Sequence, residues 1–352
     1  MRYKLTLRWL GTHYCGWQVQ PNAPTICGAV QDAVERLFGE RGELTGCSRT
    51  DSGVHAVGFV AALKCEGCRI PPEALPEIRC SDDLFGTTTL GGLFPQDVPI
   101  RAVMGDSHAA LYGAGCGREG MAKATYGTGS SVMLFTGRQP VVSRHGLAAT
   151  VAWGRNGQTY YGLEGNINYA GAVIEWLIHR AGLLTSADEA EALALQAAPA
   201  DRTVFVPAFT GLGAPHWAPE MRAAIVGMGS TTGRAEIVRA AVDSIAYQVT
   251  DVLRAMAEDV GQPVAQLFCD GGAVRNSYLM QRQSELLRSV IRVAENQDGS
   301  CAGAKMAGEA AGLYGGDTVF GAWQREYRPQ QSAAWAEAEY DRWQSAVKQI
   351  KG

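Results

Sequence analysis

The chain has 352 residues with a net charge of −4, and 46% of them are hydrophobic and 19% charged. That composition excludes a mostly disordered chain, and the 43 glycines carry no three-residue period, which excludes a collagen-like one. No apolar run reaches the roughly 18 residues of a membrane span, and the opening residues lack the apolar core of a signal peptide, so a cytoplasmic location without a membrane partner is expected.

At about 150 residues per domain the length suggests two domains, and two unlike stretches of sequence meet. Residues 1–64 read as strand, loop, helix, loop, strand. Residues 2–9 alternate polar and apolar, as a half-buried strand does. Val30, Val34, Leu37 and Phe38 share one helical face, and Val57 to Leu63 is a short apolar run suited to a buried strand. Residues 66–80 hold Pro71, Pro72 and Pro76 without periodicity and mark a boundary. Domains over 1–78 and 79–352 are therefore expected.

From about residue 85 glycine turns alternate with apolar strands and long helices. Strands are expected over Ile100 to Met104, Ala122 to Tyr126 and Ala265 to Cys269. Helices are expected near 169–181, 234–258, 276–288 and 301–314, with an amphipathic outer helix near 332–349. Strand, glycine turn and helix in repetition define an α/β fold with ligands at the strand ends. Nine cysteines at scattered spacing read as free thiols. Cys65-x-x-Cys68 is half a zinc site with no second ligand pair beside it, so no metal centre is expected.

Three places in the second stretch carry chemistry. Tyr126-Gly127-Thr128-Gly129-Ser130-Ser131 brings backbone and hydroxyl donors close to an anion, or else makes a β-hairpin turn. Asp270-Gly271-Gly272-Ala273-Val274-Arg275-Asn276 follows a strand and opens a helix, either as a bed for a flat ring or as a plain strand-to-helix turn. Asp106 stands between a strand and a helix, as a general base for a hydroxyl or as a helix cap.

Gly105-Asp106-Ser107-His108-Ala109-Ala110-Leu111, the Gly127 turn and the Gly271 turn, in that order, resemble the FGGY family of carbohydrate kinases. Phe205 to Trp217, Ala223 to Asp243 and Ser300 to Tyr314 are similar to further segments of that family, so the resemblance covers about residues 79–330. It implies an actin-like, ribonuclease-H-like α/β ATPase fold and ATP-dependent phosphorylation of a sugar or polyol hydroxyl. Asp106 would be the general base. Gly127, Thr128, Gly129 and Gly171 would face the nucleotide phosphates, and Gly271, Gly272, Ala273 and Asn276 would hold adenosine. Mg²⁺ would offset phosphate charge. Most of the family's sugar-binding N-terminal domain has no counterpart before residue 79, so impaired transfer is expected. Members that phosphorylate glycerol usually have Gln where Ser107 stands and an apolar residue where Ser131 stands, so glycerol is not favoured over other polyols. Homodimerisation is left open.

The first stretch has a different likeness. Gly46-Cys47-Ser48-Arg49-Thr50-Asp51-Ser52-Gly53-Val54-His55-Ala56 displays Arg49, Asp51 and His55 on a short turn, as catalytic groups or as an Asx-turn with a surface ion pair. With Gly11 to Gln18 and Val30-Gln31-Asp32-Ala33 it resembles the catalytic loop region of the A-type tRNA pseudouridine synthases, over residues 1–77. That implies a truncated α+β fragment with Asp51 as catalytic aspartate, Arg49 helping to extrude a uridine, and tRNA as partner. Nine Lys/Arg against eight Asp/Glu over residues 1–79 give little electrostatic hold on RNA. The seam falls near Leu75-Pro76-Glu77-Ile78, where the first family commonly has Pro-Pro-Glu-x-Leu-Pro and the second Leu-Pro-Glu-Ile, and an inactive chimera of two truncated enzymes is the third expectation.

Overall fold

A computed structural model describes residues 2–65, 77–294, 300–313, 315 and 324–351. Most of the boundary segment, with Cys68 and Leu75-Pro76, lies outside the described residues, as does Tyr314. The chain divides into two compact units, Met1–Arg79 and Cys80–Gly352.

Among the described residues the first unit is a three-stranded antiparallel sheet with one α-helix. Its elements are β1 (Arg2–Trp9), α1 (Ile26–Phe38), β2 (Glu43–Gly46) and β3 (Ala56–Lys64), in sheet order β1-β3-β2. β2 is short and went unread in the sequence. The helix begins at Ile26, capped by the Thr25 side chain, which accepts from the Gly28 amide. Its buried residues are Ile26, Cys27 and Val34, whereas Leu37 and Phe38 are exposed, contrary to the expected face. Leu37 and Phe38 stand in the last turn of the helix, whereas the buried residues lie in its first two and a half turns. Trp17, Phe59 and Leu63 complete this core. Cys65 is disulfide-bonded, which corrects the free-thiol reading at that position.

In the second unit β4 (Gly86–Thr88) and β5 (Val98–Ile100) form a small hairpin, and α2 (Asp106–Gly113) follows. The strand expected over 100–104 is therefore displaced: it ends at Ile100, and residues 101–105 are irregular. Three long strands come next after β6 (Met121–Tyr126): β7 (Ser130–Gly137), β8 (Ala148–Arg155) and β9 (Gln158–Ile167). Then come α3 (Gly171–His179), α4 (Glu189–Gln196), β10 (Val204–Val206), β11 (Ala224–Val226) and α5 (Arg234–Val260). The chain continues through β12 (Gln266–Asp270), α6 (Ser277–Leu287), β13 (Val290–Val293), α7 (Ser300–Ala310), β14 (Arg325–Tyr327) and α8 (Ala333–Lys351).

Seven strands form one sheet in the order β14-β13-β12-β6-β7-β9-β8, with β12 parallel to β13 and to β6 and the other pairs antiparallel. Side chains alternate across it. Val132 and Leu134 enter a core with Val173 of α3, Ile245 of α5, Leu279 of α6 and Trp343 of α8. Met133 and Phe135 enter a second core with Leu111 of α2 and Met306 of α7. Helices thus cover both faces, as the strand–turn–helix alternation demands. Glu236 accepts the amides of Gly233 and Ala198, each at 2.9 Å, and so fixes the start of α5. Asp243 accepts from the Tyr278 hydroxyl at 2.8 Å and pairs with Arg282, tying α5 to α6.

Candidate functional site

A cavity of about 510 Å³ opens in the second unit where the turn after β6, the start of α3 and the turn after β12 converge. Gly127, Thr128, Gly171, Gly272, Ala273 and Asn276 all line it. Ile174, Val242, Ile245 and Leu279 add apolar wall, and Glu175, Asp188, Glu191 and Arg275 add charge. Few polar groups on an apolar lining are the usual composition of a site for a flat organic ring with polar appendages.

The turns are built by close backbone approach. The Gly171 amide donates to the Gly127 carbonyl at 2.9 Å, and the amides of Ala170 and Ala172 donate to the Thr128 carbonyl at 3.0 Å. A Cβ on Gly171 would stand 2.7 Å from the Gly127 oxygen, so only glycine lets α3 start there. Gly127–Gly129 is the hairpin turn between β6 and β7, and Gly127 and Thr128 of that turn line the cavity. Gly129 ends the turn but does not line the cavity, and neither does Gly271. Gly271 has φ +96°, and a Cβ there would lie 2.5 Å from the Tyr126 carbonyl oxygen. That contact packs the second turn on the first.

Asn276 is the N-cap of α6, its side chain accepting from the Leu279 amide at 2.9 Å. Its carbonyl oxygen is therefore engaged, and its amide nitrogen is what remains for a ligand. The Ser277 amide, another orphan of that helix start, donates to Glu191 of α4 at 3.1 Å. This carboxylate from a different helix closes the cavity wall and went unread in the sequence, where nothing marks a cap supplied from 86 residues away.

Asp106 is exposed and is the first residue of α2; the N-cap is Gly105, which supplies no side-chain cap. Its Oδ1 accepts the Ser107 amide at 2.7 Å. Ser131 on β7 donates to the Ser107 hydroxyl at 3.3 Å, which ties α2 to the strand that leaves the Gly127 turn. Beside it, burial lowers the pKa of His108, with Glu164 and Asp106 opposing, and its Nε2 lies 2.9 Å from Thr150 Oγ1.

Asp51 and Arg49 belong to the first unit and are both exposed, in the loop between β2 and β3. The two motif segments of that unit fold against each other. The Trp17 amide donates to Thr50 O at 3.0 Å, the Gly53 amide to Tyr14 O at 3.1 Å, and the Gly11 amide to His55 Nδ1 at 3.0 Å. Among the described residues no three His, Cys, Asp or Glu side chains converge to hold a metal, and no helix is long and apolar enough to cross a membrane.

Comparison with known proteins agrees with the second unit. The model of the FGGY family of carbohydrate kinases, C-terminal domain, matches residues 122–312. A glycerol kinase of Alkalilimnicola ehrlichii is 40% identical over 98% of this chain, which spans 71% of that protein. A glycerol kinase of Francisella tularensis subsp. novicida is 41% identical over 80% of this chain, which spans 57% of it. Among solved structures, Plasmodium falciparum glycerol kinase with ADP superposes with a TM-score of 0.73 at 30% identity, over 79% of this chain and 56% of that one. Gluconate kinase from Lactobacillus acidophilus shares the fold, with a TM-score of 0.70 at 19% identity over 80% of this chain and 59% of that one. The chain belongs to the FGGY family of carbohydrate kinases.

Proposed function

We propose that the second unit binds ATP in the 510 Å³ cavity and that the chain serves phosphoryl transfer to a hydroxyl of a small polyol or sugar. The observation that carries this reading is the convergence of the Gly127 and Gly271 turns on one cavity, with Asp106 tied through Ser107 and Ser131 to the same strand β7. Adenosine would lie by Gly272, Ala273 and Asn276, and the phosphates by Gly127 and Thr128. Asp106 takes the proton of the acceptor hydroxyl as its oxygen attacks the γ-phosphorus and ADP departs. Mg²⁺, entering with the nucleotide, would offset phosphate charge.

The similarity to two glycerol kinases at about 40% identity supports glycerol as the first acceptor to test, against the weight that Ser107 and Ser131 give to other polyols. Those two departures touch one another, so they form one local feature rather than two. Mg-ATP should raise the melting temperature of the chain. Asp106→Asn should abolish transfer to glycerol and to longer polyols while leaving that shift intact; loss of the shift would count against the carboxylate as base.

A second reading, a pseudouridine-synthase-like first unit, is supported by the packing of its two motif segments around exposed Asp51 and Arg49. Under it the chain would isomerise uridine in tRNA, and Asp51→Asn would give no product. Equal product from both proteins, or none from either, removes this reading. A chimera without activity would give no Mg-ATP shift and bind a dye for exposed apolar surface without melting cooperatively.

A further inference from the structure

We propose that the buried ion pair between Lys123 and Asp270 is a positioning device that sets the phosphate-side turn against the adenosine-side turn; this rests on the nucleotide reading of the cavity. Lys123 Nζ lies 2.8 Å from Asp270 Oδ1, with the two side chains 5% and 8% exposed. Lys123 sits on β6 shortly before Gly127, and Asp270 is the last residue of β12, directly before Gly271. β6 and β12 are parallel neighbours, with Asp270 opposite Thr125 and Lys123 opposite Phe268. The pair therefore bridges the two strand ends from which both turns leave.

Lys123 also donates to Thr125 Oγ1. Asp270 Oδ1, though in ionic contact, receives no aligned hydrogen bond, so the lysine charge is its main partner. Asp270, Thr125, Ser131 and Asn166 stand opposite one another across β12, β6, β7 and β9 and so share a face of the sheet. Ser131 reaches Ser107, the neighbour of Asp106. One polar row thus runs from the pair to the candidate base.

Two packed apolar side chains would hold the strands together as well or better, because desolvating two charges costs about as much as their attraction returns. The ion pair adds a fixed separation and direction between strand ends. Gly271 carries that separation onward, since its backbone packs on that of Tyr126. Pairing also keeps Asp270 from presenting a bare negative charge next to incoming phosphates.

The test compares adenosine with Mg-ATP by calorimetric titration on the full chain. Lys123→Met/Asp270→Asn removes both charges at similar volume and is expected to fold. If the pair positions the turns, the Kd for Mg-ATP rises about tenfold or more while that for adenosine changes less than about twofold. Unchanged Mg-ATP affinity, or equal loss for both ligands, overturns the inference. Should the double variant not fold, Asp270→Asn is read by the same two outcomes. Failure of the unaltered chain to bind either ligand would instead reject the nucleotide reading.

Discussion

His216 Nε2 lies 2.7 Å from Asp251 Oδ2, and this contact pins the loop that follows β10 to the middle of α5. Asp251 is buried and accepts three further hydrogen bonds, all from α8: from Trp343 Nε1 at 2.7 Å, the Tyr340 hydroxyl at 2.7 Å and Gln344 Nε2 at 2.6 Å. One carboxylate thus joins a loop and two helices.

Asp251→Ala should consequently strip four donors of their acceptor at once. Buried donors left without partners cost about 1–3 kcal/mol each, with some recovery through water. A loss near 3 kcal/mol in urea unfolding is expected. A loss below about 0.5 kcal/mol would show that the hub carries no net stability.

Neighbouring glycines in the second turn should respond in opposite ways. Gly271→Ala forces a Cβ to within 2.5 Å of the Tyr126 backbone at a positive φ and should lower the melting temperature. Nothing stands within 4 Å of a Cβ at Gly272, which lines the cavity. Gly272→Phe should melt as the unaltered chain does and lose the Mg-ATP shift. A retained shift in that variant would remove Gly272 from the adenosine wall.

Acid stability should depend on Asp259 at the end of α5. Burial opposes its ionisation, but hydrogen bonds from Ser143, the Arg144 amide and His145 outweigh that and hold its pKa below the ordinary value. Folding then favours the charged form. The contribution is complete above the ordinary aspartate pKa of about 3.9 and disappears as pH falls through the lower folded value. Melts between pH 7 and pH 2.5 should show a steeper acid limb for the unaltered chain than for Asp259→Asn. Parallel curves would show that the 143–145 loop does not draw on this carboxylate.

The Gly127 and Gly271 turns were legible in the sequence because glycines clustered directly after an apolar strand mark a tight turn, whereas the backbone contacts that require glycine at Gly171 and Gly271 come from Gly127 and Tyr126, far away in sequence. Periodicity likewise marked β1 and α8, whose buried faces repeat at strand or helix spacing. The strand over 100–104 failed because an apolar run takes strand form only where a partner strand is available, and only residues 98–100 pair there, with β4. Leu37 and Phe38 keep the spacing of Val30 and Val34 but stand in the last turn of α1, and periodicity cannot tell where along a helix the core ends.

By itself the sequence determined which residue types bear chemistry and the family that their order resembles. Tertiary structure alone decided which of them meet. It gathered Thr128, Gly171 and Asn276 on one cavity, placed Ser131 against Ser107, and buried Lys123 against Asp270 across neighbouring strands. Those contacts join residues from 24 to 147 positions apart (Ser107 to Ser131, Lys123 to Asp270). Only sheet order and register, which arise from packing both helical layers at once, bring such distant groups together.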